Sequence, residues 1–416
     1  MTRSSAQAHP VMSSPSSPRP HPSLHQPLRL PPPVTRPNVI DRKASCWCGS
    51  GLKFKHCHLD RERRRPFNPF EYSEAVRKEL GRRYCSHADE SGATCSGPII
   101  DAHTVQKEGG LRAIARGGKV YTLLATLNGL IKTDGRLEPR LIGIGDASVF
   151  SGFCSNHDND LFRPIEGKTC TIGPREALLF AYRAACFEAF MKRAQCETAK
   201  LFTRLDEGRP VEEQESIQNA ARAYTHNAAA ALEGTHSRKA SYDRRVKADG
   251  TEGFHYSWTR FDTLLPVASC GTFLPDFDLA GTPLQRIGHG DAAYEQVALN
   301  VTAYEGRSVI VLGWTGAAGG PASRFAASFQ ALDDGAKAAC AVRLPLEYLE
   351  NSYINPEWWD ALSEAEQRNL VRHSSETFGR RRGRDMLLLS RPLPNYETAT
   401  AIEQGGSGMD VQGGAD

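Results

Sequence analysis

Apolar residues recur at helical spacing through the middle of the chain. They begin at Pro174, a residue suited to the first turn of a helix, and continue to about Leu205. A second helical stretch follows the break "DEGRP", beginning at Val211 and continuing toward Arg245. The spacing predicts a long antiparallel helical hairpin over residues 172–248.

The pattern changes after Gly250. Runs such as "YEQVALNVTAYE" and "RSVIVLGWT" are rich in β-branched and aromatic residues and predict antiparallel strands, with residues 305–307 as a tight turn between two of them. Residues 356–374 predict one amphipathic helix, and residues 386–391 predict a last strand. The predicted fold class is α+β: small Cys/His modules at the front, a long helical hairpin, and a C-terminal antiparallel sheet with helices.

Both ends of the chain differ from this pattern. Residues 1–40 are rich in Pro and Ser, with no acidic residue before Asp41, and predict a disordered leader. Residues 396–416 lack periodicity and predict a disordered tail. The units predicted between these ends are 41–62, 80–168, 172–248 and 255–395.

Composition narrows the class of protein. Hydrophobic residues make up 40% and charged residues 24% of the 416 positions, which is typical of a globular protein. No run approaches the roughly 18 consecutive apolar residues that a membrane helix needs. The net charge of +3 is too small to imply a nucleic-acid or membrane partner by itself. Eleven cysteines without a secretory signal favour a reducing compartment, so we expect a cytoplasmic protein with thiols available for metal binding.

The segment "CWCGSGLKFKHCH" is the first candidate metal site. Cys46 and Cys48 can face one centre from a single turn, and Cys57 and His58 supply a second pair of ligands. Four thiolate and imidazole ligands suit tetrahedral Zn²⁺. A module this small has almost no apolar core, so metal binding would have to supply its folding energy. A disulfide or redox pair is the alternative.

This segment resembles the SEC-C zinc motif, which is attached to many otherwise unrelated bacterial proteins. The resemblance includes the Cys-x-Cys pair, the Gly-Ser-Gly turn, and the basic residues Lys53 and Lys55. It implies zinc binding over 41–62 and a docking module that contacts a protein or an acidic surface through its basic residues. Basic clusters at Arg61–Arg65 and Arg380–Arg384 add nucleic acid as a possible partner.

A second candidate site lies in the block 80–168. Cys85 and Cys95 flank a polar loop, and Cys154 and His157 stand three residues apart at the start of a predicted helix. One ligand pair from a loop and another from a helix N-terminus are typical of a treble-clef zinc site. The sequence therefore predicts one zinc ion with a second one possible. The alternative is that these cysteines are ordinary buried thiols.

The order of Cys, Asp-x-His and Cys-x-x-His in the same block resembles a divergent HNH nuclease core. The resemblance implies that His103 is a general base, with Asp101 beside it, and that Asp158 or Asp160 binds a catalytic Mg²⁺ or Mn²⁺ ion. The block departs from the family in lacking the usual Asn and in carrying Asp158 where a ligand His is expected. The sequence thus leaves two functions open, a zinc-binding docking protein and a metal-dependent endonuclease.

Overall fold

The computed structural model describes residues 30–87, 95, 97–123, 129, 132–133, 137–287, 294–377, 399–407 and 409–413. The helices are α1 (Pro69–Leu80), α2 (Ser155–Glu166), α3 (Pro174–Ala199), α4 (Val211–Lys247), α5 (Pro321–Gln330), α6 (Asp334–Tyr348), α7 (Pro356–Ala361) and α8 (Glu364–Thr377). Short helical turns lie at Phe54–Cys57, Arg61–Arg63, Lys107–Leu111, Arg112–Ile114 and Lys200–Arg204. The strands are β1 (Ile99–His103), β2 (Lys119–Thr122), β3 (Arg140–Gly143), β4 (Val149–Cys154), β5 (Phe254–Phe261), β6 (Val267–Phe273), β7 (Val297–Tyr304), β8 (Arg307–Thr315), β9 (Ser352–Ile354), β10 (Ala401–Gly406) and β11 (Met409–Gly413). The predicted α+β class is confirmed.

The helical hairpin consists of α3 and α4, joined by the loop that follows Lys200–Arg204. The first half of α3 is apolar nearly all round, and its residues from Ala177 to Cys186 are buried. A helix of that composition needs neighbours on every side. It packs against α4 on one side and against the face of the large sheet on another.

The large sheet is antiparallel, and its described strands follow the order β11-β10-β5-β8-β7-β6-β9-β2-β3. Alternation along the strands divides the apolar side chains between two cores, as a period of two requires. In β7, Ala298 faces the core beside α3, whereas Leu299 and Val301 face the core beside α5 and α6. The predicted turn between β7 and β8 is confirmed, because Glu305 and Gly306 both have positive φ values, 52° and 76°.

A second, two-stranded sheet pairs β1 with β4 in antiparallel register, with Ile99 opposite Cys154 and His103 opposite Val149. Helix α2 begins directly after β4, and its residues Phe162 and Ile165 are buried in the core beside α3. This β1-β4-α2 unit therefore rests on the hairpin. It holds the second set of candidate ligands.

The helix predicted over 356–374 is divided in the structure into α7 and α8. Ser363 begins the second helix, because its Oγ accepts a hydrogen bond from the backbone N–H of Glu366 while Glu366 Oε2 accepts one from the N–H of Ser363. This capping box fixes a new helix start inside the apolar pattern. The prediction of a single helix was wrong because it missed the Ser-x-x-Glu signal.

The C-terminal end also differs from prediction. Strand β10 pairs with β5 along Ala401–Gly406, within the tail 396–416 that the sequence predicted to be disordered. The edge of β5 presents backbone N–H and C=O groups to a further strand. A segment can pair with these groups even when its own sequence has no alternating apolar pattern. Strands β2 and β3 join this same sheet, so the block 80–168 and the unit 255–395 share it. The strand predicted at 386–391 and the leader up to residue 29 lie outside the described residues.

Candidate metal centres

The first centre is built on a glycine turn and one turn of helix. Gly49 and Gly51 have φ values of 77° and 75°, in the left-handed region that glycine adopts without strain, and they reverse the chain after Cys48. The N–H of Cys46 bonds to the carbonyl of Leu52 at 2.8 Å, which closes the turn. The helical turn Phe54–Cys57 then carries the second pair of ligands to the first.

Four ligand atoms meet at this centre. Cys46 Sγ lies 3.2 Å from His58 Nδ1, Cys57 Sγ lies 3.2 Å from the same nitrogen, and Cys48 Sγ lies 3.5 Å from Cys57 Sγ. Tetrahedral zinc with bonds of about 2.3 Å to sulfur and 2.0–2.1 Å to nitrogen separates S···S by roughly 3.8 Å and S···N by roughly 3.6 Å. The set is therefore close to the size of a zinc shell, and it could hold that ion.

The close approach of the sulfur atoms shifts the pKa values of the cysteine thiols. The hydrogen bond from Cys57 lowers the pKa of Cys48 to about 3, and the same contact raises the pKa of Cys57. Two thiols at this distance share one proton, so the centre holds negative charge at neutral pH. Thiolate is the form of cysteine that binds metal. All eleven cysteines of the chain are free of disulfides in the structure.

The first centre is surrounded by an outer layer of hydrogen-bonded side chains that the sequence did not predict. Nε2 of His58 lies 2.8 Å from Oδ2 of Asp206, which sits in the loop between α3 and α4 and is fully buried. Burial lowers the pKa of His58, but the hydrogen bond to Asp206 and the interactions with Cys48 together outweigh burial and raise it. Arg61 Nε donates to Asp206 Oδ1 at 2.6 Å. Arg61 was predicted to be part of a surface basic cluster, and the structure corrects this, because its side chain is buried against Asp206.

The second centre gathers the four residues predicted for it. His157 Nδ1 lies 3.3 Å from Cys85 Sγ, 3.3 Å from Cys154 Sγ and 3.8 Å from Cys95 Sγ. These S···N distances bracket the roughly 3.6 Å of tetrahedral zinc. The four atoms lie within 4.8 Å of one another, so this set too could hold a metal ion.

Strand β4 and the start of α2 fix the second centre. Cys154 ends the strand and caps the helix, with its Sγ accepting from the backbone N–H of His157 at 3.5 Å. Although burial raises the pKa of Cys154, this hydrogen bond and those from the neighbouring thiols lower it overall. Cys85 is brought alongside by the N–H of Ser86, which bonds to the carbonyl of Gly152 at 2.8 Å. Burial, together with Cys85, raises the pKa of Cys95 to about 12.

A half-buried histidine that the sequence did not predict packs against the second centre. The ring of His87 lies edge-on to that of His157, with centroids 4.7 Å apart, and its Nδ1 is 3.0 Å from the hydroxyl of Tyr182 on α3. Tyr182 in turn donates to Asp243 on α4 at 2.9 Å. Burial lowers the pKa of His87 to about 4, so the ring is neutral at pH 7. Both centres thus contact the helical hairpin.

His103, the predicted general base, lies at the end of β1. Its Nε2 is 3.1 Å from the carbonyl oxygen of Ile144. A carbonyl only accepts, so Nε2 carries the proton and donates, which leaves Nδ1 as the unprotonated nitrogen of a neutral ring. Burial lowers the pKa of His103, which favours that neutral form. Asp101 is engaged elsewhere, since its Oδ1 accepts from Ser151 at 2.7 Å and pairs with Arg83 at 3.2 Å.

The two carboxylates predicted to bind a catalytic metal have different surroundings. Asp158 lies in the first turn of α2, near Arg183, Glu166 and His103. Its Oδ1 is buried without a hydrogen bond among the described residues, and burial raises its pKa. Asp160 is exposed and lies 3.9 Å from Arg163. Of the two, Asp158 is the one placed near His103.

Comparison with known proteins identifies the first centre. Residues 42–60 match the SEC-C motif. The match includes all four ligands of that centre, and it covers a short segment of the chain rather than a domain. Neither the comparison with curated proteins nor that with solved structures finds a match. In the described part of the chain, no helix is long and apolar enough to cross a bilayer.

Proposed function

We propose that the chain is a zinc-binding protein with two structural centres, and that its SEC-C module docks an acidic protein segment. The observation that carries the docking proposal is a group of four exposed basic residues on the module, which we name the basic face: Arg42, Lys43, Lys53 and Lys55. None of the four forms an ion pair within the described residues. Their charges are therefore available to a partner.

The backbone fold of the module brings the residues of the basic face together. The N–H of Lys55 bonds to the carbonyl of Arg42 at 3.0 Å, and Lys53 forms a β-bridge with Ser45. Two short segments on either side of the glycine turn are thereby joined, which brings the four basic residues close together within the module. An acidic segment binding there gains a modest, salt-sensitive attraction from each charge pair.

Other basic residues support a protein partner over nucleic acid. Arg82 pairs with Glu79 at 2.9 Å, and Arg83 pairs with Asp101. These pairs neutralise two of the charges that a long basic stripe for nucleic acid would use. The cluster Arg380–Arg384 lies outside the described residues.

Reversing two charges on the basic face is expected to weaken docking about tenfold. The double variant Lys53→Glu/Lys55→Glu replaces attraction with repulsion, a change of roughly 1–2 kcal/mol for exposed pairs. Fluorescence anisotropy of a labelled decaglutamate peptide at low salt measures it. The control Lys119→Glu/Lys168→Glu makes the same charge change at exposed sites on β2 and after α2 and should bind like wild type. Tighter binding of a 20-base-pair DNA duplex than of the peptide would assign the face to nucleic acid instead.

A metal-dependent HNH-like endonuclease is the second candidate. What favours it is the β1-β4-α2 unit, which places a neutral His103 at a strand end and the unbonded Oδ1 of Asp158 near it on the following helix. His103 would take a proton from water, and Asp158 would hold Mg²⁺ or Mn²⁺, which would stabilise the charge that develops on phosphate.

Replacing His103 with alanine is expected to reduce any Mg²⁺- or Mn²⁺-dependent cleavage by at least about a hundredfold, because a general base contributes that much. Cleavage of supercoiled plasmid and of single-stranded RNA measures the activity, and zinc content should not change. Asp160→Asn is the control, since Asp160 is exposed and paired with Arg163, and it should cleave like wild type. Absence of cleavage by the wild-type protein with either metal would exclude this candidate.

A further inference from the structure

The contact between His58 and Asp206 joins parts of the chain that are 148 residues apart. One ring nitrogen of His58 faces the cysteine sulfurs and the other faces the carboxylate at 2.8 Å, with both side chains buried. Asp206 belongs to the hairpin and lies outside the segment that matches the SEC-C motif. The motif alone therefore lacks this partner.

Asp206 is fixed in place by further hydrogen bonds. Arg61 donates to its Oδ1, and Gln218 of α4 donates to its Oδ2 at 2.8 Å. Arg61 and Gln218 also donate to the same carbonyl, that of Thr203, at 2.6 and 2.7 Å. A buried carboxylate that is held by an arginine and an amide cannot rotate or become protonated without a large cost in free energy. It is a rigid acceptor aimed at the imidazole.

We propose that Asp206 is a positioning residue of the first centre, through which the helical hairpin controls metal affinity. When Nδ1 binds the metal, Nε2 must carry the proton, and Asp206 accepts from it. The carboxylate selects that tautomer, holds the ring orientation and makes Nδ1 a better donor to the metal. This inference rests on zinc binding at the first centre, which is part of the function proposed above.

Metal binding and the seating of the module on the hairpin then stabilise each other. A further contact joins the two, since Arg222 of α4 donates to the carbonyl of Cys48 at 2.9 Å. Just before the module, the N–H and the carbonyl of Val34 both bond to the side chain of Asn219 on α4. A hairpin that is bound to the module presents Asp206 to His58, and a metal-bound His58 presents its proton to Asp206. Linkage makes the two effects equal in free energy.

Asp206→Asn tests the inference, with Glu207→Gln as its matched control. Glu207 is the neighbouring carboxylate in the same loop, and it pairs with Arg61, Arg64 and Arg204 rather than with His58. We expect Asp206→Asn to lower zinc affinity at the first centre by about ten- to a hundredfold in competition with a chelator. In the ¹¹³Cd-loaded protein, it should shift one of the two resonances and leave the other, from the second centre, in place. Glu207→Gln should change neither.

A double-variant comparison separates positioning from a general loss of structure. In a His58→Cys background the ligand has no second nitrogen to orient, so Asp206→Asn should no longer reduce metal affinity. An equal loss in both backgrounds, or an equal loss in Glu207→Gln, would overturn the inference and leave zinc binding intact. A wild-type protein with no metal at the first centre would instead overturn the proposed zinc function itself.

Discussion

Replacing Cys154 with serine is expected to remove one zinc ion of two and to destabilise the protein by more than about 4 kcal/mol. Cys154 is fully buried, ends β4, caps α2 and lies among the side chains that pack under the hairpin. Structural zinc contributes roughly 10–16 kcal/mol to the folding of isolated zinc-finger peptides, which exceeds the net stability of many domains. A melting temperature lower by about 10 °C, with zinc per chain measured by elemental analysis, checks this expectation.

Cys340→Ser is the control for that substitution. Cys340 is also a fully buried thiol, but it lies on α6 in the core on the other face of the sheet, away from both sets of ligands. The Cys340→Ser protein should retain two zinc ions, and its free energy of unfolding should fall only by the roughly 1–3 kcal/mol that burying a hydroxyl costs. A Cys154→Ser protein that kept both zinc ions would show that the second set is packed thiols, the alternative left open by the sequence.

The two sets of ligands could be grouped from the sequence because most of each set is local. Cys46 and Cys48 share one turn, and Cys154 and His157 share one helix start, so spacing alone limits where their side chains can point. Gly49 and Gly51 mark where the backbone must reverse between Cys48 and the second pair of ligands. The hairpin could be predicted for the same reason, since a helical period repeats within a few residues.

The partners of those ligands could not be predicted in this way. Asp206 contacts His58 only because α3 and α4 bring the loop between them next to the module. The sequence around either residue contains no pattern that predicts this contact. Strand β10 pairs with β5 for a similarly distant reason, through backbone groups that carry no side-chain signal. The spacing of residues along the chain predicts which side chains meet within one turn, whereas tertiary packing determines which distant residues contact them.

Replacing Cys48 with serine is expected to have a different, local effect. Zinc should fall from two ions to one, and the SEC-C module should unfold while the rest of the chain remains folded. The apolar core of the module consists of four buried residues, three of them ligands, so metal binding supplies most of its folding free energy. Hydrogen exchange at Cys46, Phe54 and Lys55, whose N–H groups form the backbone bonds of the module, should accelerate at least a hundredfold for a loss of about 3 kcal/mol.

Ser50→Ala is the control within the same module. The Ser50 hydroxyl lies 3.2 Å from Cys57 Sγ, so its removal disturbs a contact of the centre without removing a ligand. Zinc content and exchange should stay close to those of the wild-type protein. If Cys48→Ser instead lost its second zinc ion as well, the two centres would be coupled through the hairpin that both of them contact. If the amides of the module stayed protected without metal, its contacts with the hairpin, from Arg61 to Asp206 and from Arg222 to Cys48, would be holding it folded.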